Sequence, residues 1–212
     1  MKSTDMRGLG LIAGQLGDHD LHVFLLPYER RQKRQPLQNV LGAYLGISGG
    51  EVSLIDGEFG RPELDRRHGA VVGFNWSHSG GCALIAIGRH CMPGIDIERR
   101  RDRPRALDIA ERYFCKGELA VLTSTPLNAR STVFLNLWTA KEAVLKALGR
   151  GIAFGLDRLH VASIQDQPVL RWLDDDDASA WQLQRLDVGI DYVAALAWRG
   201  SARKIHCWTI GI

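Results

Sequence analysis

Two carboxylates, Asp96 and Glu98, stand one residue apart in the stretch GIDIE at positions 94–98. Read as a strand, this stretch sends both acids to one face, because side chains alternate with a period of two. Like charges on one face repel. The arrangement holds either at a strand end where water solvates both, or where a cation lies between them. Ligation by oxygen alone suits Mg2+, which keeps several waters and completes its shell with substrate phosphate. A third carboxylate, Glu142, belongs to WTAKEAVLK at 138–146, where Trp138, Glu142 and Lys146 form one i, i+4 row of a helix. As an exposed Glu–Lys pair this row is worth only ~0.3 kcal/mol. Beside the apolar stripe, a partly buried Glu142 can ligate a metal or accept a proton, while Lys141 and Lys146 meet phosphate oxygens.

A third group, FNWSHSG at 74–80, offers hydroxyls, backbone N–H groups and an imidazole to an anion, or is a plain polar turn between strands. Its Ser77 and His78 do not read as a nucleophile and its base. The nucleophile elbow GxSxG is absent, and neighbours on an extended chain point apart.

The elements that must position these residues follow from period and punctuation. Strands are expected over 21–26, 51–55, 71–76, 82–88 and 94–98, and helices over 36–45, 104–113, 116–122 and 132–148. The last helix shows the clearest pattern, with Phe134, Leu137, Trp138, Leu145 and Leu148 at helical spacing before Gly149. Five further strands are expected over 160–164, 169–172, 181–186, 192–198 and 205–210, with the acidic run 174–177 as an exposed connection. The halves echo one another. A helix ending YLG precedes strands that close on GCALIA, and a helix ending ALG precedes strands that close on YVAALA. Two similar α+β lobes with a site in the cleft between them would produce such an echo.

The chain has 212 residues, 45% hydrophobic and 24% charged, which excludes a largely disordered protein and leaves room for one domain or two. Its net charge of +3 does not by itself call for nucleic acid. The apolar runs 82–87 and 192–198 fall short of the ~20 residues a membrane span needs, and the first residues lack a signal-peptide layout, so a cytoplasmic protein is expected. Cys82, Cys91, Cys115 and Cys207 form no CxxC pair or zinc pattern and read as thiols in a reducing compartment.

Taken in order, GRP at 60–62, FNWSHS, GIDIE and WTAKEAVLKALGRG at 138–151 resemble the signature of the Sfp-type 4'-phosphopantetheinyl transferases. The resemblance implies an α+β pseudo-dimer of two similar lobes, 1–93 and 94–212, with coenzyme A in the cleft between them. It implies transfer of the 4'-phosphopantetheine arm of coenzyme A to a serine of an acyl or peptidyl carrier protein, with release of adenosine 3',5'-bisphosphate. Asp96, Glu98 and Glu142 would then hold Mg2+, and Glu142 or a metal-bound water would take the serine proton. Lys146 would neutralise the pyrophosphate and Lys141 would contact phosphate too. Arg61, where the family usually has Lys, would bind the 3'-phosphate, with Ser77 and His78 on phosphate as well. Gln38 falls where the family often has a basic residue, and Arg30, Arg31, Lys33 and Arg34 stand nearby to supply the charge. The partners implied are coenzyme A and the carrier, with no nucleic acid and no membrane, and a monomer is expected. Carriers of this kind are typically acidic, so the arginine run 99–105 would steer them.

Two other readings fit parts of the pattern. A metal-dependent nuclease would use Asp96 and Glu98, but Arg100 stands where such sites often carry Lys, and FNWSHS has no role in it. A non-catalytic module binding coenzyme A or a carrier would not need Asp96, Glu98, Glu142 and Lys146 together.

Overall fold

The computed structural model describes residues 1–211 as an α+β protein of two units, Met1–Pro93 with Ala202–Ile212, and Gly94–Ser201. In chain order the first unit contributes β1 (Lys2–Thr4), α1 (Leu9–Ala13), β2 (Asp20–Pro27), α2 (Gln35–Leu45), β3 (Leu54–Asp56), β4 (Pro62–Leu64), β5 (Gly73–Ser79) and β6 (Cys82–Gly88). The second unit contributes β7 (Gly94–Arg99), α3 (Ala106–Tyr113), α4 (Lys116–Ser124), α5 (Leu127–Leu148), β8 (Leu159–Ile164), β9 (Gln167–Leu173), β10 (Trp181–Leu186) and β11 (Tyr192–Arg199). The chain then returns to the first unit with β12 (Lys204–Ile210).

The first unit is built on a five-stranded sheet ordered β1-β12-β2-β6-β5. β12 runs parallel to both neighbours, whereas β2, β6 and β5 are antiparallel. Pro36 lies in the first turn of α2, and Gly46 closes that helix at φ +70°, the left-handed conformation glycine adopts without strain. Leu37, Val40 and Leu41 of α2 share one buried cluster with Phe24, Ile85, Ile87 and Trp208.

The second unit sets the antiparallel sheet β10-β11-β7 and the hairpin β8-β9 against three helices. α5 packs along β11 and β7 through Ala140, Ala143 and Val144, all fully buried. Gly94 permits this approach: a Cβ there would collide with the Ala143 carbonyl and the Ala147 amide. Gly149 ends α5 at φ +75°. The echoed apolar segments occupy equivalent places, β6 between β2 and β5 in one sheet and β11 between β10 and β7 in the other.

Beyond β1, α1 and β4, for which no element was expected, three features differ from the sequence expectation. Residues 77–79 extend β5 instead of forming a loop, paired through Ser79 opposite Cys82. α5 begins at Leu127, a turn before its apolar stripe, behind Pro126 as N-cap. The expected lobe 94–212 also included the tail, but β12 inserts between β1 and β2. Parallel pairing of a terminal strand with one near the start of the chain leaves no local pattern.

Candidate active site

β7 and α5 bring Asp96, Glu98, Glu142 and Lys146 together within the second unit. Asp96 pairs with Ala195 and Glu98 with Val193 across the β7–β11 ladder, so both acids share the face that α5 covers. Asp96 is buried, and its Oδ1 accepts from Lys146 Nζ at 2.7 Å; the same ammonium reaches the Ile95 carbonyl at 3.2 Å. Glu98 Oε2 accepts from Arg103 Nη2 at 3.1 Å. Arg103 is itself placed by its backbone N–H on Ser131 Oγ at 2.9 Å, and that hydroxyl donates to Asp102 at 2.8 Å.

Glu142 is 8% exposed, and its Oε1 is buried without a hydrogen-bond partner among the described residues. Burial pushes its pKa up to about 7; Lys146 opposes the shift, and the charges of Asp96 and Glu98 add to it. Lys146 offsets this only in part, and three hard oxygen donors with one buried, unsatisfied oxygen suit a divalent cation such as Mg2+. Among the described residues no three His, Cys, Asp or Glu side chains are already arranged to hold a metal ion. Lys146 and Arg103 instead act as the cations at Asp96 and Glu98 and must give up these bonds for one ion to be shared. The donor set fits the metal; its present geometry is the ion-paired one.

Lys141 requires a correction. The sequence placed it on phosphate, but it is fully buried and all three of its protons are taken. It donates to Glu118 Oε1 and Oε2 at 2.5 and 2.6 Å and to the Leu159 carbonyl at 2.7 Å. Neighbouring helix positions differ by 100°, so Lys141 turns toward α4 and β8 while Glu142 turns toward Asp96. Glu118 is also bonded by the amides of Cys115 and Val161. The pair fastens α4 and β8 to α5.

The remaining expected residues lie in the first unit. Arg61 follows Gly60, at φ +72°, in the β3–β4 turn and donates from Nη2 to the Phe74 carbonyl of β5 at 2.8 Å. Burial lowers its pKa, with Glu63 opposing. Ser77 is buried opposite Leu84, whereas His78 is exposed, opposite Ala83, and stacks on Tyr28 at 4.5 Å. Successive residues of one strand face apart, which keeps Ser77 and His78 from acting as nucleophile and base. Gln38 is tied to the Val52 carbonyl, and the nearby Arg34 pairs with Asp56 and Arg31 with Glu29.

Sequence reasoning missed Arg103 and Glu118. Arg103 lay hidden in an arginine run, distinguished only by following Glu98 by five positions. Glu118 occupies the third position of α4 and closes a capping box onto Cys115, a residue that does not signal an N-cap.

The family model of the 4'-phosphopantetheinyl transferase superfamily matches residues 92–197. The chain is 34% identical over 189 residues to the 4'-phosphopantetheinyl transferase HetI of Nostoc sp. PCC 7120, across 87% of this chain and 78% of that protein. It is 36% identical over 134 residues to psf-1 of Bacillus pumilus, across 63% and 55% of the two chains. To Sfp of Bacillus subtilis it is 29% identical over 148 residues, across 68% and 62%. Both are named 4'-phosphopantetheinyl transferases.

Proposed function

Because the chain belongs to the 4'-phosphopantetheinyl transferase superfamily, we propose that it transfers the phosphopantetheine arm of coenzyme A to a serine hydroxyl of an acyl or peptidyl carrier protein. The serine oxygen forms a bond to the β-phosphorus of the pyrophosphate. The bond from that phosphorus to the bridging oxygen breaks, and adenosine 3',5'-bisphosphate leaves with the bridging oxygen. The serine proton passes to Glu142.

The observation that carries this reading is the buried Glu142, one oxygen without a hydrogen-bond partner among the described residues, beside Asp96, Glu98 and Lys146. Burial raises the Glu142 pKa in the metal-free protein, the direction that favours its taking a proton. Lys146, already held over Asp96, supplies positive charge where charge develops on the departing bisphosphate. Asp96, Glu98 and Glu142 would hold Mg2+, which offsets the repulsion between phosphates and carboxylates and polarises the phosphoryl group. We assign Arg61 to the 3'-phosphate of coenzyme A and Ser77 and His78 to its other phosphates, on their places in the family signature. The four free thiols accord with a reducing, cytoplasmic setting, and we infer a monomer. No helix among the described residues is long and apolar enough to cross a membrane.

The test is to incubate the protein with an apo-carrier, coenzyme A and Mg2+ and to weigh the carrier by mass spectrometry. The carrier gains the mass of one phosphopantetheine arm. Glu142→Gln and Asp96→Ala keep their circular dichroism and lose at least ~100-fold in rate, as expected for groups that act in the transition state. Chelating the metal stops the wild-type reaction. Full activity in either variant overturns the assignment of the site.

A further inference from the structure

The second unit also encloses a cavity of about 370 Å3 that the transfer chemistry does not use. It lies against the flank of α5 that carries Val133 and Leu137, roughly half a turn around the helix from Glu142. Val121 from α4, Val161 from β8, Pro168 from β9 and Ala195 from β11 complete apolar walls. The volume falls within the range of small-molecule sites.

The apolar walls are interrupted by polar side chains, with Asn136 and Thr139 contributed by α5 itself. Arg185 of β10 and His160 and Ser163 of β8 also line the cavity. The Arg185 side chain is half-buried and makes no ion pair among the described residues. Two acids border the same space and neither neutralises it. Glu118 is committed to Lys141, both side chains being wholly buried, and Asp166 is exposed at the tip of the β8–β9 hairpin. A half-buried guanidinium beside apolar walls, with neither bordering carboxylate ion-paired to it, is a receptor for an anionic head on an apolar body.

We propose that this cavity binds a linear carboxylate with an apolar tail, the tail against Val133, Leu137 and Val161 and the head on Arg185. At roughly 30 Å3 per atom-sized volume, the space admits about a dozen non-hydrogen atoms, the size of a ten-carbon fatty acid. Arg185 stands opposite Ala195, and Ala195 opposite Asp96, so the three form one cross-strand row on one face of the sheet. Two strand spacings, about 10 Å, separate the row's ends. The carboxylate site and Asp96 are therefore held by the same register while remaining separate sites.

The probe is sodium decanoate, titrated into the full-length protein by calorimetry without coenzyme A or Mg2+, so the result does not depend on the transferase reading. One saturable site is expected, with Kd of about 0.1 mM, in keeping with a ligand of this size. Arg185→Gln weakens decanoate at least ~10-fold and leaves 1-decanol unchanged, because only the carboxylate uses the guanidinium. Ala162→Phe, on the β8 wall, fills the space and removes binding of both probes. If circular dichroism shows that this variant does not fold, Val121→Trp, at a position 52% exposed, closes the same space from α4. The proposal fails if decanoate shows no saturation up to about 1 mM or binds at many sites as a surfactant. It fails equally if decanoate binds Arg185→Gln as tightly as it binds the wild type.

Discussion

At the scale of single residues, one motif divides into three different jobs. WTAKEAVLK reads as a row of acid and base on a helix, and the i, i+4 spacing does place Lys146 one turn beyond Glu142 beside Asp96. The period of two does place Asp96 and Glu98 on one face of a strand. That much was legible because it depends on local geometry alone. The fate of Lys141 was not, since its partner Glu118 lies 23 positions earlier on a separate helix. Whatever a buried pair contributes in place, breaking it is costly, because removing one member leaves the other charge stranded. Lys141→Met therefore destabilises the protein by about 3–5 kcal/mol in urea denaturation. Adding Glu118→Gln recovers only part of this loss: the stranded charge is gone, but the single amide oxygen keeps the bond from just one of the Cys115 and Val161 amides, which bond different oxygens of Glu118. The double variant keeps the wild-type KM for coenzyme A. A tenfold rise in that KM, with the fold intact, would return Lys141 to the phosphates.

At the scale of elements, the readable parts of the fold were those whose pattern and partner lie close in sequence. The β5–β6 hairpin and the amphipathic stretch of α5 are of this kind. The polar look of SHS concealed the end of a strand, because a strand is fixed by its ladder to β6 and not by hydrophobicity. Nothing in the tail marked β12 as the strand between β1 and β2. The placing of α5 on β7 depends on Gly94, the first residue of GIDIE, which carries no chemistry of its own. Gly94 carries no side chain where the helix backbone comes closest, at Ala143 and Ala147. Gly94→Ala must push α5 away from β7, and with it Glu142 and Lys146 from Asp96. Overpacking of this kind costs about 1–3 kcal/mol. The loss of activity exceeds what unfolding explains, because an error near 1 Å in a reacting geometry costs about 100-fold. Denaturation together with the carrier-mass assay separates the two effects, and wild-type turnover in a folded Gly94→Ala protein would show that the helix has another way to seat.

At the scale of the whole molecule, the net charge of +3 is too small to define a partner, and its distribution matters more. The arginine run after β7 is not a uniform patch. Arg103 is committed to Glu98, and Arg105 lies near Asp108 on an exposed turn. Arg100 and Arg101 are exposed and border a shallow surface with Leu127 and Asn128, where Leu127 is 79% exposed. Positive charge around an exposed apolar side chain would suit docking of an acidic carrier, and it begins one residue past β7, the strand that bears Asp96 and Glu98. Reversing Arg103 would confuse docking with the loss of Glu98's partner, so the informative change is Arg100→Glu with Arg101→Glu. Steering by surface charge acts on encounter and is screened within about 10 Å at 0.1 M salt. The double reversal is expected to lower kcat/KM for the carrier by about 10- to 100-fold at low ionic strength. The KM for coenzyme A stays unchanged, and the deficit shrinks toward the wild-type value in 0.5 M salt, an expectation of about one Debye length near 4 Å there. A deficit that ignored salt would mean that the arginines build the site and do not guide the carrier; no deficit at all would move the docking surface elsewhere.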